Sequence, residues 1–404
     1  MKRVIVVSIF FLLSFSGFKL SFGEEAPAVQ AETGGMGVVK AVDRLFMIQT
    51  VLAYIDVSYY KKVDMDKCFE QIMNDGISAC TDQYSYFLSE KEAQKESMED
   101  SGFYQGIGIQ YEVKKGTPTI TYIYSDSPAE KSGMMAGDVI TAISPTGVDA
   151  DSVSVSGLDW GAVSVLLDGK DSNKKLVIFA KRKNKQIVFR VKIGTIKDPS
   201  VFFAKLGKKI GYVKLTGFID NTEDDFRLAV SSFSQAGIKV LIIDLRNNPG
   251  GSVESAINIA SFFQANSDPI IYTRSRDNAE VPIIPDSETP GIFKDLRVIV
   301  LVNKNSASAA EILSGWLKEE KGAIVIGETT FGKGVMQTLF TLPGGARLHL
   351  TTDQYFIGNK RVNIGKVGVQ PTIKVKQSGD PKSKIDNQLQ RAYDEAGKIV
   401  SSLK

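Results

Sequence analysis

Apolar positions in this 404-residue chain change their spacing three times, and each change marks a region. Over residues 39–60, Leu45, Ile48, Leu52, Ile55 and Tyr59 recur at intervals of three and four, the period of one face of an α-helix. Phe69, Ile72, Met73 and Ile77 repeat the pattern over residues 65–78. Ser89 followed by Glu92 is a capping box that opens a third helix toward Glu99. None of these helices carries an evident catalytic constellation.

From residue 102 to 193 the period shortens to two and glycine-containing turns intervene. Residues 106–111, Gly-Ile-Gly-Ile-Gln-Tyr, read as a glycine-hinged turn entering a strand. Further strands are predicted at 119–124, 139–144, 176–182 and 187–193, with a short helix over 127–133 and a longer one over 158–167. Five strands and two helices in this span suggest a partly open β-barrel.

Beyond residue 197, wholly apolar strands alternate with helices: strands at 209–215, 240–244, 269–273, 297–302 and 323–327, helices at 223–235, 253–264 and 307–317. Strands apolar on both faces and separated by helices predict a parallel sheet with both faces covered. Residues 275–295, with Pro282, Pro285 and Pro290, are a polar insert that reads as a lid or a surface loop. Over 384–404, Ile385, Leu389, Ala392, Ala396, Ile399 and Leu403 form a last helical stripe, suited to pack on the core or to pair with the stripe of residues 45–59, within one chain or between two.

Composition narrows the chemistry. Lys2 and Arg3, an apolar run over 4–15 and small residues up to Gly23 have the three-part plan of a secretory signal over residues 1–23. An uncleaved membrane anchor is the alternative, although the run is shorter than the ~18 residues a spanning helix needs. Removal of residues 1–23 takes basic residues from 49 to 46 against 46 acidic ones, so no basic excess points to a nucleic-acid partner. Cys68 and Cys80 are the only cysteines, able to pair in an oxidising compartment or to pack as small apolar residues. His349 is the only histidine, in an alternating stretch that reads as a solvent-facing strand position; this disfavours a Ser-His-Asp triad and excludes a metal site of the HExxH kind.

Ligands of open parallel sheets sit beyond the carboxyl ends of the strands. Two such ends run into helices: Asp244-Leu245-Arg246-Asn247-Asn248-Pro249-Gly250-Gly251 and Asn303-Lys304-Asn305-Ser306-Ala307-Ser308. Ser308 at a helix start is a candidate nucleophile, with helix capping as its alternative role. The Ala309 amide with that of Gly250 or Gly251 would form an oxyanion hole. With histidine disfavoured, a lysine or a carboxylate is left as base; Lys333 in Phe331-Gly332-Lys333-Gly334 suits if burial lowers its pKa, and is an ordinary surface lysine otherwise.

The motifs NKNSASAAEI and GETTFGKGVMQ, with GYVKLTGF, IIDLRNNPGG, YYKKVDMD, CTDQYSYFLSEKE and KVGVQPTIKV, are together similar to the carboxyl-terminal processing peptidases, or tail-specific proteases. The GIGIQYE turn and the SPAEKSGMMAGDVITAI stretch resemble a PDZ domain. The resemblance implies a multidomain α+β chain: signal peptide 1–23, N-terminal helical domain 24–100, PDZ-like β-barrel 101–195, α/β protease core of the ClpP/crotonase kind 196–376, and C-terminal helix 377–404. It implies Ser308 as nucleophile, Lys333 as base and Gln337 as the third member, with Glu319 or Glu320 at the place of an acid used in other branches. It places Gly250 and Gly251 at the family's oxyanion glycines, and Gly106, Ile107, Gly108 and Ile109 at the site for a peptide tail. It implies an exported serine endopeptidase without metal or cofactor, acting on proteins with apolar C-terminal tails, and makes a homodimer through the terminal helices plausible. The sequence Leu167-Asp168-Gly169-Lys170-Asp171-Ser172 departs from the Arg-Gly pattern of many relatives, which puts any coupling of tail binding to activation in doubt. A tail-binding scaffold without catalysis and a crotonase-like acyl hydrolase are the rival readings.

Overall fold

The computed structural model describes residues 35–403 except 115, 169–174, 184, 267, 288 and 378–385. The expected signal peptide, residues 169–172 and the start of the expected C-terminal helix lie outside the described residues. The chain forms two compact units that part between Phe69 and Glu70.

In the first unit, helix α1 (Gly35–Ser58) covers the periodic stretch. Leu45 and Ile48 of the predicted stripe are exposed, but so are Phe46, Met47, Tyr54 and Val57, so the apolar residues surround the helix rather than line one face. Among the described residues no helix is long and apolar enough to cross a membrane. Helix α2 (Met65–Cys80) runs across the division and holds both cysteines as free thiols. Twelve residues of helix separate them by about 18 Å, whereas a disulfide needs Cα atoms within about 7 Å.

The second unit begins with strand β1 (Tyr86–Leu88) and helix α3 (Glu90–Asp100). These belong with the core rather than with a separate helical domain, because β1 pairs antiparallel with a strand some 260 residues later, Tyr86 opposite His349. Strand β2 (Phe103–Gly106) pairs with β9 (Gly194–Lys197). Between them, β3 (Ile109–Lys114), β4 (Thr117–Ile123), β5 (Val139–Ser144), β7 (Lys175–Arg182) and β8 (Lys185–Lys192) form a sheet in that order, with β6 (Val153–Ser154) paired to β5. Short α4 (Pro128–Lys131) and α5 (Trp160–Asp168) cover it. Ile120, Ile140, Ile143, Leu176 and Ile178 form its core, and β3 is left as an edge strand.

The remaining chain builds a six-stranded sheet in the order β10 (Val201–Lys205), β11 (Ile210–Leu215), β12 (Val240–Asp244), β15 (Arg297–Val302), β16 (Ile324–Gly327), β19 (Ile373–Lys374). All neighbours pair in parallel except β10 with β11. Side chains alternate across each strand. Leu241 and Ile243 bury against α6 (Thr222–Gln235), α7 (Val253–Ser261) and α8 (Ala309–Glu319), while Val240 and Ile242 bury against α9 (Asn387–Ser402). Each such buried Leu or Ile contributes about 1.5–3 kcal/mol. The C-terminal stripe is thereby spent within the chain, since Ala392 and Ala396 are fully buried on the sheet.

Three expectations change. The strand near 269–273 is β13 (Ile271–Arg274) of a different sheet, pairing with β14 (Glu280–Ile283) and β18 (Arg347–Ile357). Part of the polar insert is thus the returning strand of a hairpin. The strand expected around His349 is the start of β18, which forms a long antiparallel pair with β17 (Val335–Thr341), a partner the sequence does not mark. His349 itself is not solvent-facing: Tyr86 of the paired β1 stacks on its ring at 4.5 Å, and Nε2 lies 3.1 Å from Glu96 Oε2 of α3.

Candidate active site

The ends of β12 and β15 are laced together by amide side chains. Asn303 Oδ1 accepts from the amides of Asn247 (3.0 Å) and Asn305 (3.1 Å), and Asn303 Nδ2 donates to Asn247 Oδ1 at 2.8 Å. Ser306 Oγ donates to Leu245 O at 2.8 Å, and the Ala307 amide to Asn248 O at 3.0 Å. A third loop joins when the Phe331 amide donates to Ser306 O at 3.0 Å. All but the Asn303–Asn247 side-chain bond satisfy a backbone group that a strand end would otherwise leave unpaired.

Ser308 sits at the resulting corner, immediately before α8, with φ 54° and ψ −118°. That conformation is costly for a residue with a Cβ and persists only where the surroundings over-determine it. Glu311, one turn into α8 and fully buried, supplies much of the constraint. Its Oε2 accepts from the amides of Ser308 (3.0 Å) and Lys333 (2.9 Å). Its Oε1 accepts from the Gly332 amide (2.7 Å) and Thr330 Oγ1 (2.5 Å), and Thr330 Oγ1 accepts in turn from the Val369 amide (2.6 Å). One carboxylate therefore ties the serine corner to the glycine-flanked lysine loop. The sequence offered a signal for this residue, Ser308 followed at the third position by a glutamate, but a capping-box pattern does not tell that its acid will be buried or which loop it will reach.

Gly250 packs against the corner. A Cβ there would lie 2.8 Å from Ser308 Cβ and 3.2 Å from Ala309 N, and its φ of +109° suits only glycine. Its amide is already engaged, donating to Asn248 Oδ1 at 2.9 Å. Gly251 bridges Phe218 through its neighbours, Phe218 N to Gly250 O and Ser252 N to Phe218 O, which turns its own N–H away from that strand. Among the described residues neither Gly251 N–H nor Ala309 N–H has an acceptor. Of the two glycine amides, Gly251 is the one left open.

Lys333 is partly buried, and Tyr355 Oη donates to its carbonyl at 2.5 Å. Burial pulls its pKa below the ordinary lysine value of 10.5, against the opposing fields of the Asp82 and Glu311 carboxylates. Its Nζ has no hydrogen-bond partner among the described residues and lies over the Tyr84 ring, 5.2 Å from the centroid. Gln337, on β17, donates through Nε2 to Thr351 Oγ1 at 3.2 Å and does not bond Lys333. Glu319 and Glu320 lie at the far end of α8, where Glu319 pairs with Lys318 and Lys360 and Glu320 accepts from the Asn359 amide. Eleven residues of helix put Glu319 about 16 Å from Ser308.

In the turn before β3, Gly106 pairs with Gly194, Ile107 O accepts from Ala129 N at 2.8 Å, and Gly108 O from Tyr124 N at 3.1 Å. The Ile107 side chain is buried in the core of this sheet, whereas Ile109 opens the edge strand and is half-buried. Of the two, Ile109 is the one on the accessible strand.

The sequence profile described as Peptidase family S41 matches residues 209–375. The carboxy-terminal processing protease CtpB of Bacillus subtilis is 31 % identical over 342 residues, which cover 84 % of this chain and 68 % of that protein. The "Probable CtpA-like serine protease" of Staphylococcus haemolyticus is 32 % identical over 318 residues, covering 78 % of this chain and 62 % of that one. The chain thus spans about two thirds of the length of these relatives. A Bacteroides fragilis structure assigned to the S41 proteases aligns with a TM-score of 0.55 at 19 % identity, covering 87 % of this chain and 95 % of that one, which speaks for the fold alone.

Proposed function

Because this chain belongs to peptidase family S41, we propose that it is a serine endopeptidase that cleaves proteins near their C-termini, with Ser308 as nucleophile and Lys333 as general base. The observation that carries this reading is the shared Glu311 carboxylate, which holds the backbones of Ser308 and Lys333 at 3.0 and 2.9 Å from one oxygen.

In the proposed reaction, neutral Lys333 Nζ takes the proton of Ser308 Oγ as Oγ attacks the scissile carbonyl carbon. The developing oxyanion is met by the Ala309 and Gly251 amides, each worth about 2.7–4 kcal/mol of transition-state stabilisation. The lysine proton passes to the leaving amine, giving an acyl-enzyme and a free C-terminal fragment. Water then gives a proton to Lys333 Nζ as its oxygen attacks the ester carbon, and Nζ returns that proton to Ser308 Oγ as the acyl C–O bond breaks, releasing the new C-terminal carboxyl and restoring Ser308 and neutral Lys333. Gln337 is the proposed third member, orienting Nζ once it leaves the Tyr84 ring. Since neutral lysine is the active form and burial lowers its pKa, cleavage should rise with pH along a limb lying below 10.5.

Residues 101–195 are proposed to act as a PDZ domain. An extended tail would add to the open edge of β3, its carboxylate meeting the glycine turn at Gly106, Ile107, Gly108 and Ile109, and apolar tails would suit the half-buried face of that strand. Export under the signal at residues 1–23, to the periplasm or outside the cell, and a homodimer through the exposed apolar helix α1 belong to the same proposal. The test is incubation of the mature protein, Ser308→Ala and Lys333→Ala with an unfolded protein bearing an apolar tail. Cleavage by the parent alone is expected. Cleavage surviving both substitutions, or no cleavage by the parent, overturns the peptidase reading.

A further inference from the structure

The turn that joins α2 to β1 carries no chemistry that its sequence reveals, yet it forms one wall around the lysine. Asp82 Oδ1 accepts from the amides of Tyr84 and Ser85, both at 2.9 Å, and from Ser85 Oγ at 3.0 Å. Ser85 Oγ also accepts from the Thr351 amide of β18 at 3.0 Å, so the turn is fixed to the strand whose Thr351 hydroxyl holds Gln337. Burial acts to raise the Asp82 pKa but is outweighed by these bonds and by the Thr351 hydroxyl, so Asp82 is held below the usual carboxylate range and stays charged. The turn thereby presents the face of Tyr84 to Lys333 Nζ, 5.2 Å from the ring centroid.

We propose that Tyr84 is a positioning residue for Lys333: its ring is the seat on which the ammonium rests, favouring the charged form there, so that the turn sets both the place of the base and the pH at which it is released. A ring face attracts an ammonium and not a neutral amine. Loss of the proton therefore weakens the hold on Nζ at the moment the amine becomes able to serve Ser308. Asp82 from the turn and Glu311 from α8 favour the charged form too, and the Tyr355 hydroxyl of β18 is engaged with the Lys333 carbonyl. The inference rests on Lys333 being the base of the proposed peptidase.

The test compares Tyr84→Leu and Tyr84→Met, which keep an apolar wall without a ring, with Tyr84→Phe, which keeps the ring. In kcat/KM for an unfolded protein with an apolar tail, the rising limb should move to lower pH by roughly half a unit to one unit in the Leu and Met variants. Their plateau should fall several-fold, and Tyr84→Phe should restore both. The second readout uses the Ser308→Ala background, following the pH dependence of Lys333 acetylation by peptide mass spectrometry, where the midpoint should shift in the same direction. Labelling midpoints that coincide for the ringless and Phe variants overturn the proposal, and so does a Phe variant that shifts as far as Leu. If Tyr84→Leu does not fold, Tyr84→Met decides. Labelling needs no turnover, so a parent that cleaves nothing would sink the peptidase reading and leave this test intact.

Discussion

Replacing Glu311 with glutamine probes the tie between the serine corner and the lysine loop. Four donors converge on the carboxylate: Ser308 N and Lys333 N on Oε2, Gly332 N and Thr330 Oγ1 on Oε1. An amide must turn its NH2 toward one pair. Turned toward Ser308 and Lys333 it meets two backbone donors that cannot reverse. Turned toward Thr330 it meets one hydroxyl, which can accept on its second lone pair and swing its O–H away, so that Gly332 N–H is the one backbone donor orphaned and the Thr330 O–H loses its carboxylate acceptor. The second orientation should be chosen. Its cost is one buried orphan backbone donor, about 1–3 kcal/mol, plus the lost Thr330 O–H bond and the conversion of the remaining bonds from charge-assisted to neutral, for a total of roughly 2–5 kcal/mol. Glu311→Ala loses all four partners and should cost more. Against a total stability of about 5–15 kcal/mol, the glutamine variant should still fold with a Tm lowered by several degrees. Activity should fall about 100-fold or more, because a displacement near 1 Å between nucleophile and base has that effect. Thermal melts followed by circular dichroism, together with kcat/KM on a tailed unfolded substrate, check both expectations. A glutamine variant with parental Tm and parental kcat/KM would refute the reasoning.

Gly250→Ala should abolish cleavage while the protein still melts cooperatively, since the added Cβ meets Ser308 Cβ at 2.8 Å and the backbone has φ +109°; retained turnover in a gel assay argues against the corner described. Arg246→Met breaks a buried pair in which Arg246 joins Asp244 to Asp386 at the start of α9. It should cost about 3–5 kcal/mol by leaving Asp244 buried without its partner, read as a lowered midpoint in urea. Thiol titration of the folded monomer should count two free cysteines, and an intrachain disulfide found by mass spectrometry would mean that α2 is not continuous.

The chain's own pattern determined a good deal. The strands at 240–244 and 297–302 were legible because residues apolar on both faces suit only a covered parallel strand, and the helices after them because glycine and serine mark their starts. Ser308 and Lys333 were legible as candidates from short-range context. What the sequence cannot carry is which distant segments meet. Tyr84 lies 249 positions before the lysine it faces, and Glu311 reads as one more helix-capping acid until the loop at 330–333 closes on it. His349 reads as exposed because alternation reports two faces of a strand and not that Tyr86 of a paired strand and Glu96 of α3 will meet its ring. The engagement of the Gly250 amide by Asn248, which leaves Gly251, depends on the Asn248 side chain reaching two residues forward while its Nδ2 is held by Leu215 O, 33 positions earlier. Periodicity and capping are local and so are written in the sequence. The neighbours of a buried charge are set by which segments the fold brings together, Glu311 with a loop 19–22 residues on and Arg246 with Asp386 140 residues on, and only the tertiary structure decides them.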